Sequence, residues 1–351
     1  MAILTETFEL ARDKARSVDR VVVTIGVLLL AITALAPTQI LESLHFTGTA
    51  VLGIAPFIIA SVLVAAYAKA TGLDGQIARA FSGKPVQAVL LAAAFGALSP
   101  FCSCGVVPII AGLLGAGVPL APVMAFWLAS PLMDPEMFII MTPVFGIEFT
   151  LAKTMAAFGI GMAAGLTTHA LAKRAFLSDP LTDAVGGCGS CCNSTSSALS
   201  PKAVVWRFWP DPARRSDFAD VSRTTGWFLF KWLTLAFLLE SLMVAYIPAE
   251  SVGAWLGGGN WWTVPAAVLV GVPTYLNGYA AIPTVAALID MGMAPGAGLA
   301  FMIAGGITSI PAAMAVYPLV RRPVFFWYIF MGLVGSLIAA YLFQAYMVFG
   351  G

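Results

Sequence analysis

The sequence predicts an all-α polytopic membrane protein: two repeats, read as inverted, each with a broken or re-entrant helix pair, plus one extra N-terminal helix. Three observations predict it. Hydrophobic residues make up 60% of the 351 and charged residues 10%, against about a quarter charged in soluble domains. Uncharged runs cover residues 49–68, 85–133, 251–289, 291–320 and 324–351, and about 20 apolar residues suffice to cross a hydrocarbon core as a helix. Inside these runs, prolines and glycines recur at matching places in the two halves of the chain.

Residues 1–19 carry Glu6, Glu9, Arg12, Asp13, Lys14 and Arg16, too polar for a cleaved signal, so 21–40 reads as the first membrane helix. A second helix is expected over 49–68 with a kink at Pro56, then a polar interfacial connection, 69–84. Two half-length apolar pieces follow, 86–98 and 106–114, joined by SPFCSCG. The next two, 120–129 and 137–145, are joined by SPLMDPE, and 153–172 reads as a further span. Residues 174–223 gather charge and the run GGCGSCCNSTSSALSP, the composition of an extramembrane linker. The second half then gives a span over 225–247, half-helices 262–272 and 278–289, another pair 298–305 and 312–320, and a closing span over 324–348. The units are therefore 1–46 (N-terminal segment and first helix), 47–173 (first repeat), 174–223 (linker) and 224–351 (second repeat).

The halves align. Pro100 and Gly105 match Pro273 and Gly278. After a two-residue insertion Pro108, Gly117, Ala125, Phe126 and Ala129 match Pro283, Gly292, Ala300, Phe301 and Ala304. Two broken elements at corresponding places is the pattern of transporters built from repeats. If the first broken element of each half is a hairpin and the second a broken span, each half crosses three times and the halves are inverted. Of the 18 Lys and Arg residues, 16 then fall on the cytoplasmic side, with Lys153 outside and Lys231 within a span, as the positive-inside rule prefers. A parallel arrangement would put the 173–223 basic cluster outside.

Lipid tolerates irregular backbone only against protein or a water-filled cavity, so the breaks are the candidate binding sites. Pro100, Ser99, Ser103 and Gly105 interrupt the first helix pair, and Cys102 and Cys104 sit there. Free cysteine packs as a small hydrophobe. Alternatively, two sulfurs in a turn converge on a soft ion. Tyr275 and Asn277 hold the corresponding places in the second half, so thiol chemistry is one-sided. Asp134 and Glu136 lie at SPLMDPE, where they either carry a coupling proton or cap the following half-helix. Lys231 and Glu240 point to opposite faces of one helix near its end, with Glu240 a third proton-coupling candidate; both could equally snorkel. Cys188, Cys191 and Cys192 form a linker cluster that binds a soft metal, receives cargo, or is simply accessible. His45 and His169 lie elsewhere, so no zinc site is visible. No Walker motif appears, and no metal or cofactor is expected.

With SPFCSCGVVPIIAGLLGAGVPL and its copy GVPTYLNGYAAIPTVAALIDMG in view, residues 47–320 resemble the ArsP-type permeases. That resemblance implies export of trivalent organoarsenicals such as methylarsenite without an ATPase subunit, and only Cys102 and Cys104 carry over as family cysteines. A monomethyl arsenic(III) centre has two exchangeable positions for two thiolates. The substrate-binding set read from the sequence is Cys102, Cys104, Ser99, Ser103, Gly105, Asn277 and Tyr275. A sulfur compound or soft metal ion as cargo, and a membrane thiol–disulfide oxidoreductase, are the rival readings. The chain is expected in the cytoplasmic membrane as a multi-pass permease, not an enzyme. Its partners would be a small-molecule substrate and membrane lipid; nucleic acid is excluded and a homo-oligomer is left open.

Overall fold

The computed structural model describes residues 19–73, 76, 84–99, 103–172, 180–182, 205–246, 262–274 and 278–349. Among these the only extended pairing is a single antiparallel bridge, Leu181 with Val320; the rest is helix and turn. In chain order the helices are α1 (Arg20–Leu35), α2 (Gln39–Thr71), α3 (Pro85–Ala97), α4 (Ser103–Gly115), α5 (Leu120–Ala129), α6 (Pro135–Leu171), α7 (Pro212–Tyr246), α8 (Thr263–Thr274), α9 (Gly278–Asp290), α10 (Pro295–Thr308), α11 (Ile310–Val316) and α12 (Arg322–Phe349). Among the described residues five stretches are long and apolar enough to cross a membrane: Gln39–Thr71, Pro135–Leu171, Pro212–Met243, Pro295–Val316 and Arg322–Phe349. The protein is an all-α polytopic membrane protein. Large apolar side chains such as Leu52, Phe57, Phe95, Ile139 and Leu342 face outward, where lipid is the solvent.

Helix ends differ from expectation for local reasons. Pro37 forces Ala36 out of helical geometry (φ −146°) and ends α1 at Leu35. The chain re-enters helix at Gln39, ten residues earlier than expected, so Glu42 and His45 ride on α2. Pro56 sits inside α2 without ending it. Helix α7 starts at Pro212, within the segment read as linker. That segment is anchored at its end: Val205 N–H donates to the Thr71 carbonyl (3.2 Å), Tyr67 Oη to Trp206 O and Arg214 to Ala70 O. Lys231, read as near a helix end, lies well inside α7 and pairs with Asp19, the cap of α1.

The most consequential correction concerns α6. Two helical arms meet at Gly146, whose φ of 85° and ψ of 165° are not helical. Lys153 touches Met137, 16 residues back, at 3.0 Å; in a straight helix they would lie about 24 Å apart. The chain therefore reverses at Gly146 into two arms, 135–145 and 147–171, with Phe145 stacked on Phe149 across the bend (4.7 Å). The expected pieces 137–145 and 153–172 are these arms, joined by a reversal rather than a loop.

Glycine contacts fix the helix directions. A Cβ on Gly96 would lie 2.7 Å from the Phe126 carbonyl and 2.9 Å from Ala129 Cβ; one on Gly165 would meet Val89, Ala125 and the Ala121 carbonyl. Climbing α3 from Val89 to Gly96 thus follows α5 from Ala121 to Ala129, and the two run parallel. Helix α4 leaves the end of α3 and returns to the start of α5, so α3 and α4 form a hairpin. Gly161 abuts the Ala125 carbonyl and Ala129, and Gly165 lies nearer the start of α5, so the long arm of α6 is antiparallel to α5. Two turns before Gly161, Lys153 lies beyond the end of α5 beside Met137 and Met141. Arm 135–145 therefore continues in the direction of α5, and the two together extend about 30 Å, a hydrocarbon thickness.

The second half packs the same way. Helix α8 lies on α10 through Gly271, whose Cβ would meet Phe301 O at 2.9 Å; α10 runs antiparallel to α12 through Gly296 against Gln344 and Gly332 against Ile307. Helices α4 and α9 end in the same cap. Val118 N–H donates to Leu113 O and Gly117 N–H to Leu114 O; Met293 and Gly292 do the same with Leu288 and Ile289. These are Schellman motifs, with Gly117 and Gly292 left-handed (φ 85° and 100°) as that cap requires. One constant spacing relates Gly96 to Gly271, Gly117 to Gly292 and Phe126 to Phe301, so helix packing calls for no two-residue insertion between the halves. On that spacing the sequence aligns Cys102 with Asn277 and Cys104 with Tyr279, whereas the alignment of Pro100 with Pro273 and Gly105 with Gly278 pairs them with Tyr275 and Asn277.

Candidate functional site

The two broken spans form the centre of the molecule. Every residue of α10 from Gly296 to Thr308 is buried, as is nearly all of α5. Each span breaks midway, α5 at Ser130–Asp134 and α10 at Ser309, whose φ of −52° and ψ of 144° are extended. Tyr328 of α12 holds the two together: its ring stacks on Trp127 of α5 (4.5 Å) and its hydroxyl donates to the Ile307 carbonyl just before the second break. Tyr328→Phe keeps the stack and strips a buried carbonyl of its donor. It is expected to lower stability by about 1–2 kcal/mol, read as a fall in melting temperature of the purified protein, with Tyr328→Leu costing more.

The hairpin of each half reaches the break of the other. Tyr279, in the first turn of α9, donates to Asp134 Oδ2 (3.3 Å) and Glu136 Oε2 (3.2 Å). Helix α4, with Ser103 and Cys104 in its first turn, packs on α11 just past the second break. Asp134 caps arm 135–145 as its other oxygen, Oδ1, accepts the Met137 N–H at 2.7 Å. It thus does what a carboxylate at a helix start does while presenting its second oxygen to the facing half.

The remaining sequence-derived residues fall as follows. Ser99, at the end of α3, is buried, and its hydroxyl finds no hydrogen-bond partner among the described residues; the same holds for Ser130. Gly105 is buried in α4. Cys102, Tyr275 and Asn277, with Cys188, Cys191 and Cys192, lie outside the described residues. Glu240 is 5% exposed, and its Oε2 has no partner among the described residues. Helices α2 and α7 pack along their lengths, Ala70 beside Arg214 at one end and His45 with Ser241 lining one cleft at the other. This antiparallel register sets Glu240 level with Ser43 and Thr47, two buried hydroxyls likewise without partners. Among the described residues no three His, Cys, Asp or Glu side chains cluster as a metal site.

Sequence reasoning missed two residues. Tyr279 gave only the signal of being the first side chain after a break. Lys153 was read at the outer end of a span; its side chain is fully buried within the protein. Its ammonium donates to thioether sulfurs, Met137 Sδ at 3.0 Å and Met141 Sδ at 3.7 Å. A lone cation amid apolar residues was the available signal; placing a span boundary at that residue concealed it.

A model of a predicted-permease family, the ArsP-type permeases, matches residues 39–345. The chain belongs to that family. The UPF0718 protein MJ0584 of Methanocaldococcus jannaschii is 20% identical over 293 residues, 72% of this chain and 80% of that protein. The UPF0718 protein YcgR of Bacillus subtilis is 38% identical over 80 residues, 23% of this chain and 27% of YcgR's own length. No solved structure matches. Membership extends from α2 almost to the end of α12, so both hairpins and both broken spans of this permease belong to the shared region.

Proposed function

We propose that this permease exports trivalent organoarsenicals such as methylarsenite across the cytoplasmic membrane, as a secondary transporter. The observation that supports this reading best is the pair Cys102 and Cys104 where the sequence passes from α3 to α4, with α4 seated on the helix that follows the opposite break. Two thiolates replace the two exchangeable oxygens of a monomethyl arsenic(III) centre, and the methyl group goes to an apolar wall. Ser99 and Ser103 would line the site, with Gly105, Tyr275 and Asn277 completing it. Asp134, Glu136 and Glu240 are the candidate proton-coupling groups.

The halves are read here as inverted copies of one unit. The shared Schellman caps, the matching glycine contacts and the reciprocal approach of hairpin to break support that relation. Alternating access then follows from rocking one copy against the other about the breaks.

The test is uptake of methylarsenite into everted membrane vesicles with and without a proton gradient. Gradient-stimulated accumulation is expected from the parent chain. It should fall to the level of empty vesicles in the Cys102→Ser, Cys104→Ser double variant, with equal protein in the membrane. Undiminished accumulation by the double variant would overturn the thiol site; accumulation by the parent no greater than empty vesicles would retire the cargo.

A further inference from the structure

Lys153 has surroundings that packing alone does not account for. A fully buried ammonium normally meets carboxylates or carbonyl oxygens, because an unpaired charge in a medium this apolar costs many kcal/mol. Among the described residues the hydrogen-bond partners of Nζ are two thioether sulfurs, which are weak acceptors. The balancing charge stands one helical turn away. Asp134 accepts the Met137 N–H while Met137 Sδ receives the Lys153 ammonium, so one residue touches both groups. The Gly146 reversal brings the two groups together; without it they would sit in separate parts of the membrane.

Other titratable groups near this site are few. Arm 135–145 and its cap carry Asp134 and Glu136, and the long arm carries Glu148 and His169, both exposed. Of the helices packed on α6, α3, α5 and α10 have no ionisable side chain. Helix α9 brings Tyr279 and Asp290, and α12 brings Arg322 at its far end with Tyr328, Tyr341 and Tyr346. Among the described residues Lys153 is thus the one base beside this acidic pair, and Tyr279 of the other half holds the pair by hydrogen bonds.

We propose that Lys153 takes up and releases the coupling proton beside the first break, close to the Asp134 carboxylate. In one state a neutral amine rests on the thioethers; in the other an ammonium is balanced by that carboxylate. The proton comes from water and returns to it, so each uptake adds one positive charge to the site. The ammonium draws toward the long arm the start of arm 135–145, whose Asp134 is held by Tyr279 of the other half. Protonation is thereby felt by the opposite half. This rests on the reading of the chain as a secondary transporter and supplies the base that Asp134 and Glu136 otherwise lack.

The first experiment needs no substrate: the melting temperature of the purified, lipid-reconstituted protein is followed across the neutral pH range. The parent is expected to show a step that Lys153→Met removes and Asp134→Asn displaces, since Asn keeps the cap and loses the charge. Superimposable profiles for the parent and Lys153→Met would overturn the proposal. Should Lys153→Met not accumulate, Lys153→Arg carries the same test, because arginine keeps its proton: loss of that step is expected, and its retention overturns the idea. In everted vesicles Lys153→Met should still exchange methylarsenite down its gradient while losing accumulation driven by the pH gradient; full accumulation would again overturn it. Failure of the parent to move methylarsenite would sink the cargo reading alone, the melting profile still deciding the role of Lys153.

Discussion

Gly161→Val is expected to leave almost no folded protein in the membrane, whereas Gly159→Val, two residues away on the same helix, is expected to be tolerated. A Cβ at Gly161 would lie 2.6 Å from the Ala125 carbonyl oxygen and 2.9 Å from Ala129 Cβ; at Gly159 it would meet nothing within 4 Å. The obstacle at Gly161 is backbone, which does not rotate away as a side chain does. Helix α3 packs just as closely on α5, where a Cβ on Gly96 would lie 2.7 Å from the Phe126 carbonyl and 2.9 Å from the same Ala129 Cβ, so a shift of α5 disturbs both contacts. Overpacking a well-packed site costs about 1–3 kcal/mol even where neighbours give way. With α5 in close backbone contact with two helices the cost is at the upper end or beyond, a large share of any domain's stability. Size-exclusion profiles and melting temperatures of detergent-extracted protein check this. A Gly161→Val variant that elutes and melts like the parent would show that α5 slides aside.

Such close helix approach is usual in membranes, where small residues rather than apolar burial bring helices together. It also explains why the fold was legible in the sequence as far as it was. Apolar run length gave the spans, and proline with serine and glycine gave the breaks, since both signals are local. The cap at Asp134 was legible as one of two readings for the same reason. The Gly146 reversal was not: a single glycine in VFGIEF changes direction through one φ/ψ pair, leaving no change in composition. Missing it left the approach of Lys153 to Met137 unseen. The approach of Tyr279 to Asp134 was hidden for another reason, because it joins residues 145 positions apart and depends on how the halves pack. Glu240 stood out as a charge in an apolar helix, yet its level with Ser43 and Thr47 needed the register of α2 on α7.

Gly146→Val is expected to lower the melting temperature markedly and to abolish proton-driven transport, although the site is open. No atom lies within 4 Å of a Cβ built there, so packing gives the substitution no penalty. The penalty is in the backbone. With φ 85° and ψ 165° the residue occupies a region that essentially only glycine adopts, and a residue forced into it costs about 1–3 kcal/mol. A β-branched residue favours relief by continuing the helix, which would carry Lys153 about 24 Å along the axis from Met137 and away from Asp134. Gly53→Val in α2 is the matched control, since its added Cβ also meets nothing within 4 Å and its backbone is helical. The pair separates conformation from crowding. If Gly146→Val melts and transports like Gly53→Val, the bend is not held by glycine, and the contact between Lys153 and the thioethers must be what draws the two arms together. If it fails while Gly53→Val works, the reversal is a property of one backbone position on which the placing of the buried lysine depends.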